Sequence, residues 1–116
     1  MNKDFEMKIK PFFWVEQDTS FDLCLSAGDF KYEIFLAREE DGFLGNGYDW
    51  GSLARVFVDE KMPELKGEID LDGSEAGTFV ANSTNAEALQ KFALGFRAMC
   101  DDDAVMSDLF SRAELD

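Results

Sequence analysis

Phe12-Phe13-Trp14-Val15 is a short apolar run closed by a polar turn, Gln17-Asp18-Thr19-Ser20. Phe21, Leu23 and Leu25 then alternate with Asp22 and Cys24, the period-2 mark of a half-buried strand. After a tight turn at Ala27-Gly28-Asp29, the alternation resumes in Phe30, Tyr32, Ile34 and Leu36 and predicts another strand, although Phe35 interrupts its polar face. The stretch Glu39 to Gly47, with three acids and three glycines, reads as a loop. Trp50, Leu53, Ala54, Phe57 and Val58 then recur at helical spacing. Asp49 is the expected N-cap of that helix, Tyr48 and Leu53 its hydrophobic staple, and Pro63 its stop.

Ile69-Asp70-Leu71 and Thr78 to Ala81 read as a second hairpin around Asp72 to Gly77. Thr84 and Glu87 have capping-box spacing before a helix with Leu89, Phe92, Ala93, Phe96, Met99 and Cys100 on one face. Leu94 lies off that stripe. Asp101-Asp102-Asp103 breaks the pattern, and a short last helix is expected from Val105 to Ser111, capped by Asp102 or Asp103. No repeat, linker or low-complexity segment interrupts this order, so one domain over residues 1–116 is expected. The predicted class is α+β: a single mainly antiparallel sheet with about three helices packed on it.

Composition narrows the function. With 116 residues and 46% hydrophobic side chains, the chain buries about two-thirds of its unfolded surface, enough for one core. The net charge of −14 argues against partners that are polyanions, both nucleic acid and anionic lipid. No apolar run is long enough to span a membrane, and the N-terminus carries no stretch of signal-peptide kind, so a cytoplasmic location is expected. Cys24 and Cys100 are then expected as buried free thiols. There is no His, which removes the commonest general base and metal ligand.

The remaining chemistry is thin. With 25 acids, some carboxylate pair must be close by chance, so pairing is no sign of catalysis. Asp70 to Glu75 fails the calcium-loop pattern, because Gly73 stands at the fourth position and Ala81 at the twelfth. Gly42, Gly45 and Gly47 match neither phosphate-binding spacing. No catalytic residue, cofactor or metal is expected. The charge itself is concentrated: residues 39–79 hold 11 acids and 3 bases, and residues 101–116 hold 6 acids and 1 base. Such a field steers a basic protein partner. Trp50 belongs to the core stripe, whereas Phe43, Leu44 and Tyr48 sit in a Gly-rich acidic loop where an aromatic has no packing need, and are the better contact candidates.

Gly47-Tyr48-Asp49-Trp50-Gly51-Ser52-Leu53-Ala54, Pro63-Glu64-Leu65, Glu75 to Phe79, Ala88 to Ala93 and Asp108 to Leu115 stand in an informative order. Together, from about residue 28 to 116, they resemble immunity protein family fifty-one of bacterial polymorphic toxin systems. The resemblance implies a small cytoplasmic α+β antidote that binds a cognate toxin domain and performs no catalysis. It brings no contact residues with it. On charge and exposure the expected contacts are Glu39, Glu40, Asp41, Phe43 and Tyr48, with Asp101, Asp102 and Asp103 as a second patch. Two other classes stay open: an acidic adaptor or regulatory module for a basic host protein, and a small carboxylate enzyme or metal-binding domain. The oligomeric state stays open as well.

Overall fold

A computed structural model describes residues 2–115. The elements run α1 (Lys3–Ile9), β1 (Phe13–Glu16), β2 (Phe21–Ser26), α2 (Tyr32–Leu36), α3 (Gly47–Lys61), β3 (Thr78–Ser83), α4 (Ala86–Met99) and α5 (Asp103–Phe110), with 3₁₀ turns at Glu39–Asp41 and Pro63–Leu65. The class is α+β, as expected. One antiparallel sheet has the order β1-β2-β3, with Trp14 opposite Leu23 and Leu23 opposite Ala81. Five helices, rather than about three, accompany it among the described residues.

The alternation of β2 and β3 decides which sheet face is covered. Leu23, Leu25, Phe79 and Ala81 are buried and share one face. The expected stripe of α4 meets them, since Leu89, Phe92, Ala93, Phe96, Met99 and Cys100 are all buried. Trp50 of α3 stands at the centre of an aromatic core, within 6.4 Å, centroid to centroid, of Phe12, Phe30, Phe35, Phe79 and Phe96. At such distances rings gain quadrupole attraction beyond area burial. Cys24 and Cys100 are buried free thiols, and burial pushes them up to about 11 and about 12 respectively, so both stay protonated.

Four local expectations are corrected. Phe30 to Leu36 is not a strand: α2 spans Tyr32–Leu36 and buries Phe35, the residue that broke the alternation. The N-terminal segment, which carries no readable pattern, forms α1, capped by Asn2. Asn46, not Asp49, caps α3, so Tyr48 is the second helical residue and stays exposed instead of stapling the start. Asn85, not Thr84, caps α4. The second hairpin is reduced to two isolated bridges, Asp70 to Asn82 and Glu75 to Thr78, because Asp70 and Ser74 turn the chain with side-chain bonds to the Asp72 and Val80 N–H groups. Asp102 caps α5, as one of the two expected acids.

The motif blocks meet in space. Gly47 packs so closely on the start of β3 that a Cβ there would stand 1.9 Å from the Glu75 carbonyl oxygen, and its N–H donates to Ala76 O at 2.9 Å. Only glycine fits this approach. The Gly-Tyr-Asp-Trp block and the Glu75 to Phe79 block are thus two sides of one contact.

Candidate functional site

The loop joining α2 to α3 is built by Arg38. Its guanidinium donates to the carbonyl oxygens of Phe110 and Ala113 at 2.5 and 2.8 Å, and its Nε to Asp41 at 3.0 Å. The same group lies over the rings of Phe43 and Phe110, 4.4 and 5.2 Å from their centroids. These contacts fold the 3₁₀ turn onto the end of α5 and draw Phe43 fully inside, against Phe110 at 4.8 Å. Phe43 is therefore corrected from a contact candidate to a supporting residue: cation–π attraction and ring packing supply the packing partners that its loop sequence does not announce.

Asp49 fixes the other end of the loop. It is buried, and its Oδ2 accepts from the N–H groups of Leu44 and Gly45 at 2.7 and 2.8 Å. Its own N–H donates to Asn46 Oδ1 at 2.9 Å, completing a capping box. A carboxylate in the first helical turn also complements the helix dipole. Asp49 thus shapes the loop rather than facing solvent.

Glu39, Glu40 and Asp41 are exposed on this framework. Asp41 is occupied by Arg38, while Glu39 and Glu40 form no ion pair among the described residues. Around them lie exposed apolar groups. Leu36 shares a shallow depression with Glu39 and Glu40. Leu115 rests on Gly42 and lines a second depression with Tyr48. The ring of Tyr32 lies on Gly45, and Leu44 is 64% exposed. Of eight exposed large hydrophobic residues among those described, five border this one loop: Tyr32, Leu36, Leu44, Tyr48 and Leu115. The chain's two tyrosines are both among them.

The second predicted patch is joined to the first through α2 and α5. Lys31, just before α2, bonds Asp103 at 2.8 Å, and Arg38, just after α2, bonds the far end of α5. The Asp103 interaction holds the Lys31 ammonium above its ordinary value. Asp101 to Asp103 and Glu39 to Asp41 are therefore tied to opposite ends of α5, an eight-residue helix about 12 Å long. Asp101 is paired with Arg97 at 2.7 Å and Asp102 is spent on the cap, so all three acids of this patch have local partners. Exposed apolar side chains near this loop are a signal absent from charge counting; they add Tyr32, Leu36 and Leu115 to the candidates and keep Leu44 among them.

The arrangement suits protein contact. An apolar patch rimmed by like-signed charge is the anatomy of an interface. Among the described residues no three Cys, Asp or Glu side chains gather in a way that could hold a metal ion, and no helix is long and apolar enough to cross a membrane.

Fold and face together define an α+β protein with an acidic, tyrosine-bearing surface. The family model described as Immunity protein 51 matches residues 12–115, nearly the whole chain, and the protein belongs to that family. The match begins at Phe12 rather than near Gly28, so β1 and β2 are part of the shared domain pattern. No curated protein and no solved structure matches the chain.

Proposed function

We propose that this protein is a non-catalytic antidote, acting in the cytoplasm, that neutralises a basic toxin domain through the acidic face around residues 39–48. Family membership supports an immunity role. The observation that carries the choice of face is the gathering of five exposed large hydrophobic residues, both tyrosines included, at a loop whose Glu39 and Glu40 are unpaired. Tyrosine supplies large contact area at low entropic cost and is enriched among binding hot spots. Unpaired carboxylates beside it attract a basic partner and raise the association rate. Asp101 to Asp103 extend the field at the other end of α5, with less to offer individually because each is already paired or capping. A toxin that acts on nucleic acid needs a basic cleft, which such a face would fill.

The test is a growth rescue joined to a binding series. The C-terminal domain of the toxin encoded beside this gene is expressed with and without this protein, and the complex is titrated with the doubly reversed variant Glu39→Lys/Glu40→Lys and with Tyr48→Ala. Each variant is expected to weaken binding by 10-fold or more, about 1.4 kcal/mol. Rescue with unchanged dissociation constants in both variants would move the contact to another surface. Failure of rescue by soluble antidote would remove that toxin as the partner.

A further inference from the structure

The other exposed edge of the molecule has a different chemistry. Among the described residues β1 pairs with β2 alone, so its outer side is a sheet edge without a neighbouring strand. Bonded and non-bonded residue pairs alternate in an antiparallel ladder. The Gln17 N–H donates to Ser20 O at 2.8 Å, which makes Val15–Asp22 and Phe13–Cys24 the bonded pairs. The N–H and C=O groups of Trp14 and Glu16 therefore point away from β2, with no strand beyond them. Phe13 is 45% exposed beside them, and a groove of about 740 Å³ opens at the start of the strand, lined by Ile9, Lys10, Pro11, Phe12, Phe13 and Phe30 among others. An open edge beside an apolar groove is a template for strand addition.

Charge selects the occupant. Residues 2–16 hold three bases, Lys3, Lys8 and Lys10, and three acids, Asp4, Glu6 and Glu16, so the whole net charge of −14 lies elsewhere. The three lysines form no ion pair among the described residues. A basic partner is drawn to the acidic face around residues 39–48, none of which lines this groove. A second copy of this chain is repelled from most of the surface but not from this edge.

We propose that two copies of this protein join along β1 as an antiparallel, two-fold pair. The register that uses every outward group sets Trp14 of one copy opposite Glu16 of the other, with the two Val15 residues facing across the axis. Four backbone hydrogen bonds then close, two at each Trp14–Glu16 pair. The same register carries the turn at Gln17-Asp18 of each copy toward the Lys10 end of the other, bringing an unpaired carboxylate to an unpaired ammonium. The contact is short, which makes it a weak, concentration-dependent dimer. The proposal stands apart from the toxin reading, because no residue of the 39–48 face belongs to β1 or lines the groove.

Two measurements test it. Sedimentation velocity from low to high micromolar protein is expected to show a monomer passing to a dimer. Glu16→Pro removes one outward N–H without touching the bonds to β2, and is expected to remain monomeric with an unchanged far-ultraviolet spectrum. Val15→Cys places two thiols across the axis, where Cα atoms of a non-bonded pair lie about 4.5 Å apart, within disulfide reach. Mild oxidation is expected to trap it as a covalent dimer, while the native chain, whose thiols are buried and protonated, and Tyr32→Cys on the acidic face stay monomeric. A native chain that is monomeric at every concentration, or Val15→Cys that cross-links no faster than Tyr32→Cys, overturns the proposal. The cross-linking arm holds even where Glu16→Pro fails to fold.

Discussion

Arg38 is the residue on which the candidate face depends. It is one of few cations in an acidic chain, yet it spends its donors on two backbone carbonyls and its π-facing surface on two phenylalanines. Arg38→Ala leaves those carbonyls without their donor and opens the space over Phe43. The expected loss is about 2–3 kcal/mol, read as a lower urea midpoint at unchanged slope. Arg38→Lys is expected to recover only part of it, since an ammonium lacks the planar fork. Residue by residue, the sequence was readable where one periodicity governed, as at Trp50 or Phe96, and misleading where side chains act through the backbone. Asp49 and Asn46 are both competent caps; only the carboxylate's second bonds, to Leu44 and Gly45, show why Asp stands third in the helix. Phe43 lies among Asp, Gly and Leu, and nothing local announces the guanidinium that covers it.

At the scale of elements, α2 is the clearest misreading. Its five residues are too few to display a 3.6-residue period, so Tyr32, Ile34 and Leu36 show an alternation that any short helix can imitate. What makes it a helix is tertiary: Phe35 enters the core against Trp50 and Phe110, and α5 holds both ends. The capped, amphipathic α4 and α5 were legible because pattern and caps agree, and α1 was not because its one buried residue is Ile9. A second clasp joins α5 to α3. Arg112 bonds Glu60 at 2.7 and 2.8 Å and Asp108 at 2.9 and 3.0 Å, and holds both carboxylates below their ordinary range. Groups with lowered folded values contribute stability above their unfolded values, 4.5 for Glu60 and 3.8 for Asp108, and lose it as pH falls through the lowered ones. Arg112→Met is therefore expected to melt lower than the native chain at pH 6, with the gap closing below pH 3.8, as thermal melts across that range would show. An equal gap at both ends of the range would assign the loss to packing.

For the whole molecule the governing quantity is the net charge of −14. Self-repulsion of that size opposes compaction, and salt screens it. Raising sodium chloride from a few millimolar to physiological strength is expected to raise the melting temperature by about 4 °C, on the order of 1 kcal/mol. If the proposed basic partner is the right one, the same salt is expected to slow association with it, so stability and capture rate should move in opposite directions. Composition gave the sign of this field, and segment counts located its two acid-rich stretches. Their joining through α2 and α5 needed coordinates, because residues 31 and 103, and residues 38 and 110, meet only through long-range packing. The clasp on Ala113 has a practical corollary. Arg38 holds that carbonyl, and Leu115 lies on Gly42 within the acidic face, so any chain carried on past Leu115 starts beside Tyr48. An affinity handle there would shade the very surface a binding assay is meant to probe, and its cleavage, rather than a change of partner, would then decide whether the protein looked active.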